Sequence, residues 1–275
     1  MTYKQVKHLK PEEFKRLCGV RKETFEEMVK VVRLVEAQKQ PGRPNKLSIE
    51  DQVLLTLEYL REYRTYFHIA QSWGVNESTA YRLIRKVEEC LIKSRVFRLP
   101  GKKKLLKSKH EIEVVVVDVT ETQARTTKKK QKHYYSGKKK QHTLKSQVIV
   151  NQYTKQILCT AHGTGREHDF RLFKTSRVRL KPEIECLVDK GYQGIQKLHT
   201  NSFTPKKKPR GGMLAVEDKQ FNQQLASRRV VGENIHRCLK IFKILCQRYR
   251  NRRRRFALRF NLIAGLYNYE LCLAQ

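Results

Sequence analysis

Between Phe25 and Val35 the apolar side chains Phe25, Met28, Val29, Val32 and Val35 return at steps of three and four, the period of an amphipathic helix. The helix ends before Pro41-Gly-Arg-Pro44, a turn segment. Ser48-Ile-Glu-Asp51 has the form of an N-terminal cap with an acid at the third helical position, and Val53, Leu57 and Leu60 then continue one face. A third helix runs through His68 to Trp73. Gly74 breaks it, and Asn76 is placed to cap a fourth, with Ser78, Thr79, Tyr81, Arg82, Arg85 and Lys86 outward and Leu83 and Val87 inward. Small Ala70 permits two helices to cross closely and Gly74 makes the tight turn between them. This is a helix-turn-helix pattern, in which Ser78, Thr79, Arg82 and Arg85 are the side chains expected to meet a DNA major groove. A plain helical hairpin carries the same signature. The Gly-Arg-Pro turn reads as an ordinary loop, with entry into a minor groove as the alternative.

Residues 98–111 form a basic stretch broken by Pro100 and Gly101, read here as a linker between a helical domain at 1–97 and a second domain at 112–275. Beyond it the texture turns to strands. Residues 113–120, 141–151 and 155–162 are apolar and β-branched, with a hairpin turn expected at Asn151-Gln-Tyr-Thr-Lys155. A helix from about Asp169 to Thr175, a short strand at 185–189 and a long helical region from about Glu217 follow. Phe256 to Leu273 reads as a mostly apolar helix packed on the rest. The expected class is mixed α and β, a helical domain followed by a mixed-sheet domain.

Charge changes the picture most. Sixty Lys+Arg stand against 26 Asp+Glu, a formal net charge of +34. Such an excess opposes folding by self-repulsion unless a polyanion meets it, so nucleic acid is the expected partner. No apolar run approaches the length of a membrane span, and the polar start shows no secretory segment, so a cytoplasmic location is expected and no membrane partner. Seven cysteines, at 18, 90, 159, 186, 238, 246 and 272, are scattered without a Cys-x-x-Cys pair, which reads as reduced core thiols. The histidines show no zinc spacing.

Against this basic background three acids stand out. Asp118 follows four consecutive valines and is expected at the end of a strand buried on both faces. Asp189 ends a second apolar strand and precedes Gly191 and Gly194, which leave the carboxylate open to approach. Glu233 is expected on a helix that docks through Ile235, Leu239, Phe242, Cys246 and Tyr249, with Arg229, Glu233, Arg237 and Lys240 on the opposite side. Taken singly, the aspartates also read as strand-end turn residues and Glu233 as an ion-pair partner of Arg237. Together, three carboxylates from two strands and a helix meet the need of hard divalent cations for oxygen ligands, and a pair of ions about 4 Å apart suits phosphodiester cleavage.

These acids come with further wording. Asp118-Val-Thr-Glu121, Tyr134-Tyr-Ser-Gly-Lys-Lys-Lys140, His168-Asp169, Asp189-Lys-Gly-Tyr-Gln-Gly194, and Tyr249 to Phe256 running on through Asn261-Leu-Ile-Ala264 resemble DDE transposases of the insertion-sequence-five family, close to its Harbinger-related branch. The resemblance covers the second half throughout and the helix-turn-helix half less sharply. It implies an RNase H-like fold, dependence on Mg²⁺ or Mn²⁺ with two ions, and strand transfer at terminal inverted repeats in a homodimeric complex. It makes Asp118, Asp189 and Glu233 the metal-binding triad and puts Arg229 and Lys240 beside Glu233 as DNA contacts. Ala226 stands where the family pattern has tyrosine, so that ring's role is unsupported here. His168-Asp169 matches the family's pair and brings a possible fourth carboxylate, although Asp169 also reads as a plain helix cap. Glu121 reads either as a support of Asp118 or as a solvated strand end.

The lysine runs at 102–104, 128–130, 138–140 and 206–208 are ordinary solvated clusters taken singly. His133, Tyr134 and Tyr135 interleave with one of them and are candidates to stack on unpaired bases, or core residues. The function expected is therefore a DNA transposase acting on double-stranded element ends and target DNA, in a bacterial cytoplasm. Its rivals are a nuclease of the same fold without strand transfer, an inactive transposase-derived DNA-binding regulator and, least supported, an RNA-binding protein.

Overall fold

The computed structural model describes residues 2–38, 40, 45–107, 112–125, 131–209 and 211–274. The turn at 41–44 and the lysines at 128–130 lie outside them. Helices α1 (Tyr3–Val6), α2 (Pro11–Cys18), α3 (Lys22–Ala37), α4 (Ile49–Glu62), α5 (Tyr66–Trp73) and α6 (Glu77–Lys93) come first. There follow α7 (Lys104–Lys107), β1 (Val114–Gln123), α8 (Gln131–Tyr134), β2 (Tyr135–Ser136), β3 (Gln141–Asn151), β4 (Ile157–Thr164) and α9 (Asp169–Ser176). The order closes with β5 (Glu185–Leu187), β6 (Ser202–Phe203), α10 (Val216–Lys240) and α11 (Phe256–Cys272). The chain divides into two units, one of residues 1–98, 239–247 and 252–275, the other of residues 99–238 and 248–251.

In the helical unit the predicted starts and stops are where local chemistry puts them. Ser48 Oγ accepts from the Asp51 amide at 3.1 Å and Thr65 Oγ1 from the His68 amide at 3.2 Å, satisfying amides that each helix start leaves open. Gly74 sits at φ +58° between α5 and α6, in the left-handed region that ends a helix most cheaply in glycine. Asn76 holds the cap position of α6 without a side-chain cap bond, contrary to the expected role of its amide. The apolar stripes of α3, α4 and α6 meet in a core that includes Met28, Val32, Leu57, Ile84 and Val87.

The last helix corrects the sequence reading. α11 has its expected span but is counted with the N-terminal helices, not with the sheet. The physical reason is Glu88, which α6 buries to 1% exposure. Arg259 Nε donates to it at 2.6 Å and Arg255 Nη2 at 2.9 Å, and the Arg259 guanidinium lies 5.3 Å over the Tyr59 ring. Arg259 of α11 and Arg255 just before it supply the cations that a carboxylate at that depth requires. Gly265 lets α11 come close, since a Cβ there would lie 1.9 Å from the Phe97 carbonyl oxygen.

In the sheet unit the strands lie in the order β4-β3-β1-β5-β6, with β2 pairing the start of β3 on the β4 side. β1 runs antiparallel to β3 and parallel to β5, β3 antiparallel to β4, and β5 parallel to β6. Three antiparallel strands followed by two parallel ones is the RNase H-like order. The valine run is explained by burial on both faces. Val115 and Val117 pack with Ile149, Cys159, Phe173 and Tyr192, whereas Val114 and Val116 pack with Leu187 and Leu225 of α10. The hairpin between β3 and β4 is built on Asn151, whose side-chain oxygen accepts from the amides of Tyr153 and Thr154. β2 and β6, two residues each, carry too little pattern to have been foreseen. The expected linker is not free chain where described, because Leu105 is fully buried in the sheet unit's core and the Gly101 amide donates to the Leu158 carbonyl at 2.8 Å. Four cysteines are buried, but Cys238, Cys246 and Cys272 are exposed, so the expectation of core thiols holds only in part.

Glu88→Ala is expected to cost about 3–5 kcal/mol, because it strands the Arg259 guanidinium in the core. Denaturant unfolding checks this, and a loss below about 1 kcal/mol would show that the pair is dispensable.

Candidate active site

Parallel pairing sets the first two acids side by side. Val114, Val115 and Val116 pair with Glu185, Cys186 and Leu187, and the same offset brings Asp118 level with Asp189 just past the end of β5. Asp118 lies mid-strand, not at a strand end as expected, since β1 continues to Gln123. It shares the face of Val114 and Val116, which is the face α10 covers. Asp189 Oδ1 accepts from the Gly191 amide at 2.9 Å, which fixes the carboxylate as the chain turns. Burial pushes the Asp189 carboxyl above the ordinary aspartate range, the neighbouring Asp169 and Asp118 carboxylates push the same way, and the Gly191 amide and Arg229 oppose them.

α10 reaches this pair through a residue without a side chain. A Cβ on Gly232 would lie 3.2 Å from Asp118 Cβ and 3.3 Å from Val116 Cγ1. Leu225, Gly232, Ile235, His236 and Leu239 form the buried face of the helix, and Arg228, through two bonds of 2.6 and 2.5 Å to Glu185, fastens it to the start of β5. This corrects the expected docking stripe. The helix ends at Lys240, so Phe242, Cys246 and Tyr249 are not on it, and Cys246 is exposed. Arg229 is half-buried rather than opposite the docked face, and among the described residues its Nε has no hydrogen-bond partner. Glu233 is exposed on the flank next to Gly232, and Arg237, Lys240 and Ala226 are exposed too. His236 was missed by sequence reasoning. Its Nε2 stands 3.6 Å from Asp118 Oδ2, and its signal was the four-residue step from Gly232.

Behind the pair lies a buried ion network. Lys145, 7% exposed, stands across from Glu121 in the β1–β3 register; its Nζ is 2.7 Å from Asp169 Oδ1 and 3.7 Å from Glu121 Oε1. Glu121 also accepts from Thr143 Oγ1 at 2.7 Å. Three residues on from Asp118, it points to the other face of β1, so it is neither a partner of Asp118 nor solvated. His168, not Asp169, holds the cap position of α9, and Asp169 lies in the first turn close to Gly191. Lys145 was also missed, hidden in a strand that reads as plain β.

Among the described residues no three His, Cys, Asp or Glu side chains stand close enough to enclose a metal ion. The structure gathers Asp118, Asp189 and Asp169 with Arg229 near them, and leaves Glu233 on the exposed flank. Carboxylates crowded until one resists ionising are hard oxygen donors that fit a hard divalent cation. Thiols are no alternative, because burial pushes Cys186 up to about 12.

In the helical unit Ser78 and Arg82 are exposed and Thr79 is half-buried. Arg85 is engaged within its own helix, 3.2 Å from both Glu89 Oε1 and Tyr81 Oη. Thr79 lines a cavity of about 580 Å³ with Lys46, Phe67, Gln71, Asn76 and Glu77. Sequence reasoning missed Phe67, an aromatic ring 54% exposed at the start of α5.

An RNase H-ordered sheet with aspartates level on two parallel strands, in a chain that also carries a helix-turn-helix, defines a nuclease class that acts on DNA. Residues 117–268 match a family described as DDE superfamily endonuclease, and residues 45–96 one described as helix-turn-helix of DDE superfamily endonuclease. A probable transposase for insertion sequence element IS702 from Microchaete diplosiphon is 53% identical over 274 residues, covering 99% of each chain. A piggyBac transposase in a synaptic complex with hairpin DNA, solved by cryo-EM, has a TM-score of 0.48 and 11% identity over 98% of this chain and 76% of that one, a likeness too slight to bear on the site. The chain belongs to the DDE superfamily of endonucleases, as an insertion-sequence transposase, and enzymes of this family use divalent metal ions.

A raised carboxyl favours the fold only while protonated. Its contribution is whole below the unfolded aspartate value of about 3.9 and is lost as pH rises through the raised one. Asp189→Asn is therefore expected to raise the melting temperature of the metal-free protein at neutral pH, with the gain shrinking as pH falls toward about 3. A lower melting temperature at neutral pH would show that the charged form is stabilised instead.

Proposed function

We propose that the chain cuts the ends of an insertion sequence and joins them to target DNA, as a member of the insertion-sequence-five family close to its Harbinger-related branch. Asp118, Asp189 and Glu233 hold two divalent ions, Mg²⁺ or Mn²⁺, with Glu233 turning in from its flank once DNA or metal is present. Bound there, such ions supply Lewis acidity and neutralise charge on the phosphate under attack. Water attacks a phosphodiester at the element end and frees a 3′-hydroxyl, which then attacks a target phosphodiester, each step releasing one oxygen as another bonds. Arg229, on the helix that meets Asp118, holds a phosphate against the acids, Lys240 contacts the backbone, and Asp169 supports Asp189 from behind. His168 contacts the strand, Glu121 keeps Lys145 in place, and the observation that carries the reading is the level placement of Asp118 and Asp189 on adjoining parallel strands.

The helix-turn-helix of residues 1–97 recognises double-stranded terminal inverted repeats through Ser78, Thr79, Arg82 and Arg85. The domain of residues 112–275 carries the catalysis. Each copy has one acid cluster and an element has two ends, so the active complex is a homodimer. The protein works in the cytoplasm, on the nucleoid.

Asp118→Ala is expected to abolish Mg²⁺-dependent cleavage of an element end while end binding stays within about twofold, since binding rests mainly on cationic contacts to phosphate. Cleavage at a near-normal rate would remove Asp118 from the site. Products joined to a target plasmid separate strand transfer from hydrolysis alone. In the same material, affinity is expected to fall by orders of magnitude between low and physiological salt through counterion release, and a flat response would mean that the +34 charge is not the DNA-binding surface.

A further inference from the structure

Beside the acids, on the far side of the first turn of α9, the sheet unit carries a cavity of about 510 Å³ lined by His133, Thr164, Arg166, Glu167, His168 and Arg171. Two guanidiniums and two imidazoles face one carboxylate. That carboxylate is held aside, since Glu167 Oε1 accepts from Thr175 Oγ1 at 3.2 Å and its other oxygen lies over Gly163, 2.4 Å from where a Cβ would be.

The walls are fixed by backbone. The Gly165 amide donates to the Thr143 carbonyl at 2.9 Å and the Arg166 amide to the His133 carbonyl at 3.4 Å. Gly165 is packed so tightly that a Cβ would lie 2.3 Å from Thr143 Oγ1 and 2.5 Å from the Tyr134 carbonyl oxygen. The turn bearing Arg166 is thereby tied to α8, which bears His133. His168 lines the cavity, and the adjoining Asp169 lies against Gly191 and adds its charge to that felt by Asp189.

We propose that this cavity is a phosphate-binding subsite that holds the backbone of one DNA strand beside the Asp118–Asp189 pair. The inference rests on the DNA-cleaving reading and adds a residue set to it. A cluster of carboxylates repels a polyanion, so a strand approaching it needs an attractive site within a nucleotide or so of the bond to be cut. Planar guanidiniums match phosphate oxygens in pairs, and a cavity this size accepts a phosphate together with its sugar.

The test compares two charge-matched pairs in the full chain, Arg166→Gln with Arg171→Gln, and Lys197→Gln with Lys219→Gln. All four positions are exposed, so melting temperatures are expected to stay level. Binding of a short fluorescein-labelled oligothymidylate in metal-free buffer is expected to weaken about tenfold in the arginine pair and less than about twofold in the lysine pair. In Mg²⁺-dependent nicking of supercoiled plasmid the arginine pair is expected to raise KM and leave kcat within about twofold, the signature of lost ground-state binding. Equal weakening in both pairs, or none in the arginine pair, overturns the subsite. If Asp118→Ala still nicks, the cleavage reading fails, whereas the oligonucleotide comparison still decides whether the cavity binds a strand.

Discussion

Helix α10 meets Asp118 on the central strand at residue 232, which has no side chain. A Cβ there would lie 3.2 Å from that of Asp118, tight enough that its neighbours would have to shift, and larger groups would crowd β1 further. The acid site follows from this approach. It puts the His236 ring 3.6 Å from Asp118, brings Arg229 within electrostatic reach of Asp189, and sets Glu233 on the flank beside the contact. Leu225, with Phe221 beside it, makes the docking apolar, and the Arg228–Glu185 pair fixes the helix to the start of β5. A helix held from three directions is a rigid support for side chains that must act together.

Positive and negative charge are segregated within the sheet unit. Asp118, Asp189 and Asp169 meet around one turn of chain, and Lys145 is the buried cation that takes up the charge of Asp169 and Glu121 from behind. Without Lys145 two further carboxylates would lie unneutralised beside the pair. That pairing keeps a third and a fourth acid from competing with the first two for whatever cation approaches from the front.

Much of this was legible in the chain, and the reasons are local. The capped helices α4 and α5, Gly74, the full span of β3 and the span of α11 all follow from periodicity and turn chemistry, which act over a few residues. The level placement of Asp118 and Asp189 was half legible, because two apolar strands each carrying an acid were visible but their parallel register was not. His236 and Lys145 stayed hidden because each owes its place to a partner more than twenty residues away. The far half of the α10 stripe failed for another reason. Phe242 and Tyr249 are buried as expected, but the helix stops at Lys240 and they reach the core from irregular chain, which periodicity cannot tell from helix. Glu88 and Arg259 stand 171 residues apart in the chain, and nothing short of the folded unit joins them.

The route of the chain has a consequence for synthesis. The helical unit begins at the N-terminus, is interrupted by the whole sheet unit, and is completed by α11. A ribosome therefore releases every strand of the sheet before it delivers Arg255 and Arg259, and until then Glu88 is a carboxylate with no cation to receive it in the core. The helical unit is therefore completed last although its first helices are translated first. A copy of the gene cut short by a late stop codon or frameshift would lose that closing helix, so damage near the 3′ end of the reading frame would silence the unit encoded at its 5′ end.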